Sequence, residues 1–119
     1  MIEALYRQLL QISNEGVFHA GAWRRLDAED IGDGTASNLV VYDWQTENCW
    51  KLIVVNLENA ASQARIHLGD RIAQGRRYRF NDQRNQAVYL RDADELRGPG
   101  LYVRLDAFRA HLFEIAPAR

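Results

Sequence analysis

The stretch WKLIVVNL, residues 50–57, is apolar on both parities: Trp50, Leu52 and Val54 belong to one face of a strand, Ile53, Val55 and Leu57 to the other. A strand with no polar face belongs in the interior of a sheet that is covered on both sides. NLVVYDW, residues 38–44, reads alike, with Leu39 and Val41 opposed to Val40, Tyr42 and Trp44. The two are expected to be neighbours at the centre of one sheet.

Outward from this pair the pattern changes to strict alternation. In QARIHL, residues 63–68, Ala64, Ile66 and Leu68 share one parity while Gln63, Arg65 and His67 share the other. In LYVRL, residues 101–105, Leu101, Val103 and Leu105 oppose Tyr102 and Arg104. Each reads as a strand with one buried and one wetter face. Further strands are expected at 17–19, 22–27, 78–81, 87–91 and 110–115, nine as an upper count. Turn clusters separate them, among them HAGA, EDIGDGTAS, QTEN, ENAAS, NDQRN, RGPG and DAFR. Short strands at roughly ten-residue spacing, with no helix between them, predict an all-β, antiparallel two-sheet β-sandwich or small barrel.

One segment breaks the pattern. In MIEALYRQLLQI, residues 1–12, Ile2, Leu5, Tyr6, Leu9 and Leu10 fall on one apolar stripe at helical spacing, and a polar cluster ending in Gly16 stops the run. A helix of about a dozen residues is marginal alone in water, so it must pack on something. The reading is therefore one short N-terminal α-helix followed by a β-sandwich, divided as residues 1–15 and 16–119. One face of the central strands meets the second sheet; the other needs its own cover, which a short helix supplies only in part. An isolated chain with such a face uncovered is expected to self-associate.

Size and charge narrow the function. A chain of 119 residues can bury one core without disulfides, and the lone Cys49 reads as a buried free thiol. Fifteen basic against sixteen acidic residues give a net charge of -1 and no field to recruit nucleic acid. No run of about eighteen apolar residues and no cleavable leader is visible, so a soluble chain with no membrane partner is expected.

Chemistry-bearing constellations are missing from the pattern. His19, His67 and His111 match no metal-ligand spacing, so no metal or cofactor is expected. The acidic loop DAEDIGDG, residues 27–34, fails the EF-hand pattern at its fifth and twelfth positions, Ile31 and Asn38, and reads as a solvated turn. Ser13, Ser37 and Ser62 lie outside any nucleophile elbow, and Cys49 has no adjacent histidine, so no catalytic residue is assigned. The aromatic residues remain: Trp23, Trp44 and Tyr42 are candidate platforms for sugar rings, although strand aromatics more often serve the core.

Taken in order, YRQLL, VFHAGAWRRLD, NLVVYDW, KLIVVNLENAASQARIHL and DELRGPGLYVRLDAFRAHLFEI resemble the C-terminal β-sandwich domain of the α-amylase superfamily of glycoside hydrolases. The resemblance covers nearly the whole chain and rests on the order of strand patterns. One departure is DAFRA, residues 106–110, where many relatives carry prolines and a tryptophan or glycine. The resemblance implies that residues 1–15 are the last helix of a catalytic barrel, with Ile2, Leu5, Tyr6, Leu9 and Leu10 as its packing face. It implies a parent enzyme that hydrolyses or rearranges α-glucans, whose catalytic carboxylates lie in the barrel. This chain is then a non-catalytic accessory whose partner is that barrel; the alternative is an independent α-glucan binding module.

Overall fold

A computed structural model of the chain describes residues 22–46, 49–69 and 72–118. The expected opening helix with its stripe Ile2, Leu5, Tyr6, Leu9 and Leu10, the expected strand at 17–19, and His19 lie outside the described residues. The strands are β1 (Ala22–Arg25), β2 (Ala28–Glu29), β3 (Leu39–Gln45), β4 (Trp50–Asn56), β5 (Ser62–Ile66), β6 (Arg77–Asp82), β7 (Ala87–Asp92), β8 (Leu101–Leu105) and β9 (Ala110–Ala118). They form two sheets, six-stranded in the order β1-β3-β4-β9-β6-β7 and three-stranded in the order β2-β5-β8, with every pairing antiparallel.

The doubly apolar strands are indeed neighbours. β4 lies between β3 and β9 and is buried at every position. Its two parities enter different clusters. Trp50, Leu52 and Val54 join Val41, Phe80 and Phe113 of the larger sheet and Ala64, Ile66, Leu101 and Val103 of the smaller one in a single core. Burial of each large side chain there stabilises the fold by about 1.5–3 kcal/mol. Ile53 and Val55 point the other way and form a second buried cluster with Trp44, Ala110 and Leu112.

The alternating strands follow their parities. Ala64, Ile66 and Leu68 are fully buried, as are Leu101, Val103 and Leu105 to within a few per cent, while Tyr102 and Arg104 are exposed.

Four expectations need correction. Leu57 is 57% exposed, outside the apolar face assigned to it. The strand stops at Asn56, whose side-chain oxygen accepts the Glu58 N–H at 3.1 Å and turns the chain. Cys49 is only half-buried, because it sits between β3 and β4, where its carbonyl accepts the Thr46 N–H at 2.8 Å. The single strand expected at 22–27 divides: β1 joins the larger sheet and β2 the smaller. Leu26, buried at the bend, still donates its N–H to Val41 O at 3.0 Å, so the chain changes sheet within two residues.

The fourth correction is a helix between strands, α1 (Ala93–Arg97), with a 3-10 turn at Ala36–Asn38 besides. Five residues are too few for a periodic signal, yet Ala93 and Leu96, three apart, are both buried under α1. Asp94 and Glu95 occupy its first turn and Arg97 its last, in agreement with the helix dipole. Gly98 and Gly100 close it by donating to Asp94 O at 3.0 Å and Glu95 O at 2.9 Å.

Candidate functional site

The smaller sheet covers only part of the larger one. Past the outer edge of β8, the inner faces of β9, β6 and β7 continue, and a cleft of about 220 Å³ opens there. Parity explains its lining. Phe80, Tyr89, His111 and Phe113 stand on the core-facing side of their strands; Phe80 and Phe113 are buried, while Tyr89 and His111, at the margin of β8, are only partly covered.

The rings support one another. His111 stacks on Phe113 with centroids 4.8 Å apart and planes at 23°, and Tyr89 meets Phe113 edge to face at 6.0 Å. The Arg91 guanidinium lies 5.5 Å from the Tyr89 ring centroid, within range of a cation–π contact.

Beneath this floor a buried carboxylate meets the His111 ring. Asp82 ends β6 and is fully buried, with Oδ2 2.6 Å from Nδ1 of His111. Asn85 Nδ2 donates to the same oxygen at 2.6 Å, and Oδ1 accepts the Leu112, Arg84 and Asn85 N–H groups at 3.2, 3.1 and 3.3 Å. Burial alone raises the pKa of this carboxyl, but the hydrogen bonds from His111, Asn85 and Leu112 and the His111 charge outweigh it and hold it below 3.8. A carboxylate acceptor at Nδ1 places the ring proton there and leaves Nε2 as the nitrogen available for further bonding.

Two other polar clusters are structural. Asp43, fully buried on the inner face of β3, accepts from Arg24 Nε at 3.2 Å, Arg24 Nη2 at 2.7 Å and Trp50 Nε1 at 3.0 Å. Asn56 shares its amide N–H groups among Ala60 O, Leu105 O and Asp106 O at 2.8–3.1 Å, tying the central strand to the end of β8. The VVNL segment thus owes its asparagine to a clamp between sheets.

Of the residues singled out as sugar platforms, Trp44 and Tyr42 do not line this cleft, and the Trp23 side chain lies outside what the structure describes. Trp44 is 4% exposed within the second buried cluster, so its ring offers no open face. Tyr42 is half-buried, two residues before it on the same parity, and Trp23 stands opposite Trp44 in the β1–β3 register. In the acidic loop, Asp30 accepts the Gly32 and Gly34 N–H groups, and Asp33 accepts the Thr35 N–H and hydroxyl. These carboxylates close the turn. Among the described residues no group of three or more His, Cys, Asp or Glu is placed to hold a metal, and no helix is long and apolar enough to cross a membrane. His67 lies at the surface, 3.5 Å from Glu29.

Asp82 and His111 were not paired by sequence reasoning, since they are 29 residues apart. One sign was available: in HLFEI, His111 shares the core parity with Phe113 and Ile115. A histidine on that parity needs a buried partner.

No protein-family model matches this chain, and no curated protein matches it significantly.

Proposed function

We propose that this chain is the non-catalytic β-sandwich C-terminal domain of an α-amylase-type glycoside hydrolase or transglycosylase acting on α-glucans. In this reading residues 16–119 are the sandwich, residues 1–15 are the last helix of the catalytic barrel, and the sandwich packs on that barrel and stabilises it. The observation that supports it is β4, buried along its whole length and on both faces. A small two-sheet domain requires burial on the inner face alone; here the outer face is buried within the chain as well, and a sheet covered on both sides fits a domain that is one layer of a larger body. The polar clusters add support, since the buried carboxylates of Asp43 and Asp82 are each engaged by hydrogen bonds that hold the fold together.

The test is retrieval of the native polypeptide from its source with antibody raised against this chain. The expected product exceeds about 40 kDa, the chain plus a barrel of about 250 residues, and it cleaves or rearranges α-glucan. A polypeptide of 13.7 kDa, the mass of this chain alone, without glucan activity overturns the proposal.

A further inference from the structure

β7 closes one side of the six-stranded sheet and, among the described residues, pairs with β6 alone. Its backbone groups divide by parity, since the N–H and C=O of one residue point to the same side of an antiparallel strand. Gln83 N–H donates to Leu112 O at 2.7 Å, and Ala93 N–H donates to Arg76 O at 2.8 Å. Odd-numbered residues of β6 therefore bond β9, and its even-numbered residues bond the odd-numbered residues of β7. The N–H and C=O groups of Val88 and Leu90 are left facing the open edge. Their side chains are also uncovered, at 59% and 46% exposure. Their neighbours across β6, Asn81 and Arg79, are polar and exposed, so the apolar surface is confined to the edge strand. A flat layer laid over this face would meet Arg79 and Asn81, whereas one more strand added at the edge meets Val88, Leu90 and their free backbone groups.

We propose that two copies of this chain pair along β7, antiparallel and related by a two-fold axis, so that their larger sheets continue into one. The side chains choose the register. With Tyr89 opposite Tyr89 of the second copy, Val88 of each copy stands opposite Leu90 of the other, and Arg91 stands opposite Ala87. Each Val88–Leu90 pair exchanges backbone hydrogen bonds in both directions and joins two apolar side chains. A register centred on Leu90 sets Val88 against Asp92 instead. Charge also selects a second copy as the partner. Just beyond the paired strands, the β6–β7 turn of one copy, which carries Arg84, comes beside the first turn of α1 of the other, which carries Asp94. Neither Arg84 nor Asp94 is in an ion pair among the described residues. In the paired form each meets the opposite charge. This interface goes beyond the accessory-domain reading, which assigns nothing to β7.

The test is sedimentation velocity of the full chain at concentrations from about 1 to about 500 μM. A monomer–dimer equilibrium with a micromolar Kd is expected, the dimer having twice the 13.7 kDa mass of the chain. Leu90→Lys is expected to keep the melting temperature and to weaken the dimer about tenfold or more. Arg84→Glu and Asp94→Arg are each expected to weaken it several-fold, because each variant sets like charges together at both ends of the paired strands. Mixing the two variants is expected to restore association as a heterodimer, and this exchange decides the matter if Leu90→Lys fails to fold. A monomer at every concentration, a dimer that Leu90→Lys leaves unchanged, or no recovery on mixing overturns the inference. A large native polypeptide together with a strictly monomeric chain overturns this inference alone; a native polypeptide of 13.7 kDa that dimerises through β7 overturns only the accessory-domain reading.

Discussion

Asp82 Oδ2 and His111 Nδ1 are 2.6 Å apart, one at the end of β6 and the other at the start of β9, in the only place where a fully buried carboxylate meets a histidine among the described residues. The contact pins the ring that floors the cleft. It also ties the β6–β7 turn to β9, because the same carboxylate accepts N–H groups from Arg84, Asn85 and Leu112.

Asp82 has a folded pKa below 3.8, so its contribution to stability is fully present above the unfolded value and is lost as pH falls through the folded one. Asp82→Asn is expected to cost about 2 kcal/mol near pH 7, where charged hydrogen bonds are lost, and less as the pH drops below about 4. Urea denaturation across that range measures the gap. A gap that stays constant down to about pH 2 contradicts the assignment.

The buried Asp43 depends on Arg24, whose side chain is 39% exposed and whose Nη2 reaches it at 2.7 Å. Arg24→Ala is expected to destabilise the fold by about 2 kcal/mol, held below the cost of breaking a fully buried pair by water on the arginine side. Arg24→Met combined with Asp43→Leu is expected to recover part of that loss, with Trp50 Nε1 still lacking its acceptor. Equal losses in the single and double variants, measured by chemical denaturation, would show that the charge pair is not the source.

Gly100 has φ +96°, and a Cβ there would stand 2.9 Å from Ile66 O at the head of β8. Neither backbone can retreat, since Leu101 and Ile66 are register partners. Gly100→Ala is expected to cost about 3 kcal/mol, from left-handed strain and the clash together. Gly34→Ala, at φ +76° with open space around it, is expected to cost about 1 kcal/mol. Similar melting-temperature losses for the two would remove the clash from the account.

Ile53 and Val54 are successive residues of β4 in different buried clusters. Ile53→Ala is expected to cost about 2–4 kcal/mol, in the range of any large-to-small core change and comparable to Val54→Ala. Denaturation showing a loss below about 0.5 kcal/mol at Ile53 would mean that the outer face is not packed in solution.

The parities of residues 63–68 and 101–105, and the doubled apolar pattern of 50–55, were legible because alternation with a period of two is local. Leu57 followed the same parity and yet lies outside, because Asn56 turns the chain before the pattern ends. The five-residue α1 was below what periodicity can register. The cleft was illegible for a different reason: its walls come from β6, β7, β8 and β9, whose order in space differs from their order in the chain.

Most strand positions and the faces that turn inward follow from the local apolar pattern and the turn residues between, and were readable residue by residue. That three strands cover six among the described residues, leaving Tyr89, Arg91 and His111 at an open edge with Asp82 beneath, is a property of the assembled sheets. Pairing between distant strands sets that outcome, and the free energy of such pairing belongs to no single segment of the chain.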